Sequence, residues 1–256
     1  MLGVARWLGH RFRLSTFSDT LPNLGRQPRP PGYPLVRSSR AVTSLATPKK
    51  SRKPFFIPID MNAESVGNFD LLKRVDVGYT PVTVSKWRSR VTGLSVVHID
   101  YEAPIVKGYF AVATEIFDDS GRPHTLEHLV FMGSEKYPYK GVLDNLANRA
   151  FSAGTNAWTD TDNTVYTIAT AGQQGFLQLL PVYVDHILYP TMTQSAFVTE
   201  VHHIDGKGED SGVVYSEMQG RQNTSGDLMA LRAQRAAYPA SSAYRSETGG
   251  LMEALR

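Results

Sequence analysis

The chain has 256 residues, 41% of them hydrophobic and 20% charged, and no cysteine, which suits a globular core and excludes a disulfide scaffold, a cysteine-ligated metal site and a thiol nucleophile. The net charge of +3 joins two unlike regions: residues 1–58 hold 11 of the 27 Lys/Arg and one of the 24 Asp/Glu, so the remainder carries 16 basic and 23 acidic side chains, a net of −7. The basic character therefore belongs to the leader, and a nucleic-acid-binding role for the whole chain has no support.

The leader reads in two parts. Residues 1–20 set Arg6, Arg11 and Arg13 among Leu2, Val4, Trp7, Leu8, Phe12, Leu14 and Phe17, with Asp19 the only acid. This is the composition of a mitochondrial transit peptide and predicts the mitochondrial matrix; the alternative is a basic tail on a cytoplasmic protein. Residues 22–58 hold 8 of the 15 prolines, and such a segment buries too little apolar surface to offset its ordering entropy. The expected organisation is a basic, Pro-rich leader over residues 1–58 and a folded domain over residues 59–256. No apolar run reaches the roughly 18 residues of a membrane span. The best, residues 176–189, is broken by Pro181, Asp185 and His186, so no integral membrane association is expected.

From about residue 69, segments 76–87, 93–101 and 105–115 are rich in Val, Ile, Tyr, Phe and Thr and read as strands. Segments 122–132 and 142–149 read as helices, with Gly121 and Pro123 suiting a helix start. Two further strands, 151–158 and 164–170, flank a polar turn. Residues 173–188 place apolar side chains at helical spacing despite Pro181. Segments 201–204 and 212–214 bracket a Gly/Asp/Lys-rich turn, and residues 215–236 read as one long helix. Strands mixed with helices, without strict βαβ alternation, predict an α+β fold with a mixed or antiparallel sheet packed by helices. The chain ends in helical-looking sequence, so the domain is read as incomplete at its C-terminus.

One pentapeptide carries the chemistry: His124-Thr125-Leu126-Glu127-His128. On a helix, residues i and i+4 project from one face a turn apart, a chelating separation for two neutral imidazoles. Glu127 precedes the second histidine and can reach a water polarised by zinc, take its proton and pass it to a leaving amine. This H-x-x-E-H order inverts the commoner H-E-x-x-H motif. A catalytic zinc needs a third protein ligand and an open position.

Residues 121–134 resemble the active-site helix of the pitrilysin/insulinase family of inverted-zincin metallopeptidases. Residues 152–159 and 162–166 resemble that family's substrate-side strand and hairpin, and residues 212–220 resemble the segment bearing the third ligand in its presequence-protease branch. The resemblance implies one Zn²⁺ per chain held by His124, His128 and Glu217, with Glu127 as general base, and hydrolysis of extended, unstructured peptides. Glu217 also falls near the start of a predicted helix, where an acid complements the dipole. Ala153, Asn156 and Ala157 become candidate substrate contacts, since an edge strand with small residues admits a peptide by β-augmentation; the competing reading is a core strand whose Gly154 marks a bulge. Asp210, with Glu209 beside it, is a candidate hydrogen-bond partner for a ligand histidine. His202 and His203 alternate across a strand and cannot easily share one metal. The family's chamber is built from two halves of a longer chain, so a C-terminal half or partner subunit is expected to be missing and the isolated chain to cleave weakly. The alternatives are a catalytically incompetent fragment and a non-catalytic processing or binding subunit.

Overall fold

The computed structural model describes residues 64–256, and the expectations for the leader over residues 1–58 lie outside the described residues. Four strands, β1 (Ser65–Val66), β2 (Phe69–Val77), β3 (Val82–Ser89) and β4 (Ser95–Asp100), form one antiparallel sheet in sequential order. The single strand expected over residues 76–87 is therefore a hairpin. Val77 pairs with Val82, and the Thr80 amide donates to the Val77 carbonyl at 3.0 Å. Gly78 and Pro81 punctuate this turn, but the β-branched composition runs through both arms and hides the reversal.

The second sheet combines β5 (Ile105–Ala113), β6 (Ser152–Thr159) and β7 (Asn163–Ala171) in the order β5-β7-β6, all antiparallel. The central β7 is the most buried strand, with Thr164, Val165, Tyr166, Ile168 and Thr170 all inside. Helices α2 (Val142–Arg149) and α3 (Gln173–Leu188) pack beside it through a core of Leu143, Ala147, Ile168, Leu179, Val182 and Tyr183. Pro181 lies inside α3, on its exposed side.

A second core joins α1 (Arg122–Val130), α4 (Gln194–Glu200), α5 (Val213–Arg221) and α7 (Met252–Leu255) through Leu129, Met132, Val201, Val214, Tyr215, Met218 and Leu255. Helix α1 links the two cores, because Phe131, just past its end, packs into the first. Between α4 and α5, β8 (His203–Ile204) and β9 (Asp210–Ser211) form a short ladder. The long helix expected over residues 215–236 is instead α5 followed by α6 (Ser225–Ala237). Thr224 makes the break: its hydroxyl accepts the Asp227 amide at 3.2 Å and donates to the Asp227 carboxylate at 2.6 Å. Helix α4, unforeseen in the sequence, starts the same way, with the Thr193 hydroxyl accepting the Ala196 amide.

The C-terminal segment straps the start of α1. Asp119 accepts from the Glu247 amide and the Arg235 guanidinium, both at 2.8 Å, and its carbonyl accepts from the Leu251 amide at 2.9 Å. Gly121 caps α1 at φ +66°, and a Cβ there would lie 2.5 Å from the Gly250 Cα. The Gly121→Ala variant is accordingly expected to lose about 2–4 kcal/mol of stability, the sum of left-handed strain and a backbone clash. Urea unfolding measures this, and a change under about 0.5 kcal/mol would contradict the close approach.

Candidate metal centre

Helix α1 turns the pentapeptide into a site. Its Nε2 atoms at His124 and His128 are 3.2 Å apart, with the ring planes at 86°. Each ring is held from behind. His124 Nδ1 is 3.2 Å from the Gly249 carbonyl of the C-terminal strap, and His128 Nδ1 is 3.2 Å from Glu200 Oε1 at the end of α4. A backbone carbonyl only accepts, so His124 Nδ1 is the donor to Gly249, and the two Nδ1 contacts leave both Nε2 atoms facing Glu217.

Glu217, the fifth residue of α5, completes the cluster. Its Oε2 lies 3.6 Å from each Nε2, while Oε1 faces the Arg221 guanidinium at 3.9 Å. All three donor atoms fall within 4.8 Å of one another, and among the described residues this is the His/Asp/Glu group so arranged. Two ligand atoms of a tetrahedral zinc, at bonds of 2.0–2.1 Å, would stand about 3.3 Å apart. The observed edges of 3.2, 3.6 and 3.6 Å are close to that. Residues of this type at this spacing fit a zinc ion.

Glu127 is 9% exposed, and its Oε2 accepts a 2.6 Å hydrogen bond from the Thr159 hydroxyl at the end of β6. Thr159 lies 3.2 Å from the Thr164 hydroxyl, which lies 3.2 Å from that of Thr114, so a line of hydroxyls runs from the carboxylate across the sheet. Burial, with the Glu127 charge adding to it, pushes the Tyr166 phenol well above its ordinary pKa, so Tyr166 stays neutral beside the carboxylate.

The other sequence candidates fall as follows. Ala153 and Asn156 are exposed on β6, which is an edge strand, and Ala157 is half-buried and pairs with Tyr166. Strand β6 is an edge strand and not a core strand, and the expected bulge is present: the pairing slips between Ser152 and Thr155 and Gly154 sits at φ +100°. Asp210 is a correction. Its carboxylate is 2.8 Å from His202 Nε2 and bonded to the Arg256 guanidinium, while the Nδ1 atoms of His124 and His128 face the Gly249 carbonyl and Glu200. The carboxylate behind a candidate ligand ring is Glu200, which sequence reasoning missed along with the Gly249 carbonyl and Thr159. Glu209 belongs to the turn beside Asp205, His203 lies on β8, and neither His202 nor His203 joins the donor cluster.

Comparison with known proteins agrees with this architecture. Residues 114–219 match the family model described as Insulinase (Peptidase family M16). An uncharacterized protein of Saccharomyces cerevisiae is 54% identical over 175 residues, covering 68% of this chain and 17% of that protein. A Caenorhabditis elegans protein, also uncharacterized, is 51% identical over 170 residues, covering 66% and 17%. The mitochondrial presequence protease of Emericella nidulans is 30% identical over 240 residues, covering 85% and 23%. The crystal structure of pitrilysin superposes with a TM-score of 0.59 at 18% identity, covering 74% of this chain and 19% of that one, and shows the fold. The chain belongs to the pitrilysin/insulinase family of peptidases, near the presequence protease branch. It spans only 17% of the length of the first two relatives.

Hydrogen bonds from Arg256 and then His202 hold the Asp210 carboxyl below the usual carboxylate range. A depressed folded-state pKa contributes stability that is present above the unfolded value, about 3.9, and is lost as pH falls through the folded one. Thermal melts at stepped pH are therefore expected to show an acid-limb decline that Asp210→Asn flattens. An identical acid limb in both proteins would contradict this pairing.

Proposed function

We propose that this chain carries the reaction centre of a zinc-dependent endopeptidase acting on unstructured peptides. The observation that carries the reading is the triangle of His124 Nε2, His128 Nε2 and Glu217 Oε2, with edges of 3.2, 3.6 and 3.6 Å. Two imidazole nitrogens and a carboxylate oxygen facing one point supply the donor types that a zinc ion takes. When bound there, zinc supplies Lewis acidity, which makes water more acidic and polarises a carbonyl.

The chain's own residues supply the rest. Glu127 accepts the proton of the attacking water and delivers it to the leaving amine nitrogen. Thr159 fixes the direction of that carboxylate through its 2.6 Å hydrogen bond. Strand β6, open along one edge, offers main-chain groups to an extended peptide, with Asn156 and the small Ala153 and Ala157 beside it. Main-chain pairing reads little side-chain identity, which suits a broad range of unfolded substrates. The domain arrangement in this reading is a leader over residues 1–58 and a metallopeptidase domain over residues 59–256. The acid-poor, Arg-containing start and the relatives named mitochondrial presequence protease support a mitochondrial location, in the matrix.

Elemental analysis of the purified chain is expected to find about one zinc per molecule, lost in His124→Ala and Glu217→Gln and retained in Glu127→Gln. Turnover of an unstructured peptide is expected to fall roughly 10²–10⁴-fold in Glu127→Gln. No zinc on the unmutated chain would overturn the metal centre. Full cleavage by Glu127→Gln would overturn the assigned base and leave the metal centre standing.

A further inference from the structure

We propose that Glu200 is the positioning residue of the centre: its carboxylate, held behind His128, fixes that ring's tautomer and strengthens it as a metal ligand. The proposal rests on the metal centre described above and concerns a residue that lies 72 positions from its partner in sequence.

Three observations carry it. First, Glu200 is held largely out of water. It is the last residue of α4, and its side chain is only 14% exposed. A carboxylate so placed takes its hydrogen-bond partners from the protein. Second, two hydrogen-bond donors meet it. His128 Nδ1 lies 3.2 Å from Oε1, and Lys140 Nζ lies 3.5 Å from Oε2. Lys140 is 60% exposed and so compensates weakly, which leaves the imidazole as the more buried partner. Third, the two ligand rings are backed differently. His124 has a backbone carbonyl behind it, whereas His128 has a carboxylate. A carboxylate behind an imidazole commits Nδ1 to donating and raises the electron density at Nε2, the atom that faces Glu217 and His124.

A purely structural role would be served equally well by glutamine, which keeps the shape and one acceptor oxygen. The proposal separates the two, because only the charge raises ligand basicity. Zinc affinity, read by competition with a chromophoric chelator, is expected to weaken roughly 10–100-fold in Glu200→Gln and to recover in part in Glu200→Asp, which restores the charge. Nitrogen-15 NMR of the zinc-loaded, unmutated chain is expected to find the proton of His128 on Nδ1 and none on Nε2.

Unchanged affinity in Glu200→Gln overturns the proposal. So does a His128 proton found on Nε2, a measurement that needs no variant to fold. Absence of zinc binding by the unmutated chain is a different result: it overturns the metal centre itself, and this inference with it.

Discussion

The structure turns on three donor atoms that the fold holds together. Two imidazole Nε2 atoms and a carboxylate oxygen converge from two helices, with edges of 3.2 to 3.6 Å. Any one of these groups could lower its energy by rotating into water. Each is prevented by a second contact: the Gly249 carbonyl behind His124, the Glu200 carboxylate behind His128, and Arg221 on the far oxygen of Glu217. Three nitrogen and oxygen donors within 4.8 Å of one another form a group that could hold a metal ion.

The second contacts explain why so much of the chain is arranged around one short helix. Gly249 sits between the two ligand-bearing helices: its carbonyl meets His124, and a Cβ on it would lie 2.6 Å from Met218 Sδ, next to Glu217. Asp119 ties the same strap to α6 and to the turn before α1. The strap thus touches both α1 and α5, which also pack directly on each other through Leu129, Val214 and Met218. On the other side, Thr159 couples the general-base candidate to the edge strand that would receive a peptide. The His pair and Glu127 share one helix, and a single hydrogen bond from Thr159 joins that helix to strand β6.

The elements and the first ligands were legible because they are local. A helix places i and i+4 side chains together wherever it forms, so His124 and His128 could be read from spacing alone. The bounds of α2 and α3 followed from apolar periodicity. Glu217 came from resemblance to a known segment, since nothing local distinguishes it from other acids on a helix, and it falls in the middle of α5 rather than at its start. The failures share a cause. The hairpin at Gly78, the break at Thr224 and helix α4 are set by single turn or capping residues, whose signals are weaker than the composition around them. Thr224-Ser225-Gly226-Asp227 does carry a capping pattern that would have located the break. Glu200 and the Gly249 carbonyl depend on tertiary contacts spanning 72 and 125 positions, and a backbone carbonyl has no sequence signature at all. Asp210 was the plausible choice by proximity to Glu217, but proximity along the chain is not proximity in space when a guanidinium and another histidine are nearer.

The central claim is that the convergent donors form one metal site of defined composition. X-ray absorption at the zinc K-edge of the zinc-loaded chain tests it directly. The account predicts two imidazole nitrogens and at least one carboxylate oxygen in the inner shell, at about 2.0–2.2 Å. A shell of oxygen alone, or one with a single imidazole, would contradict it.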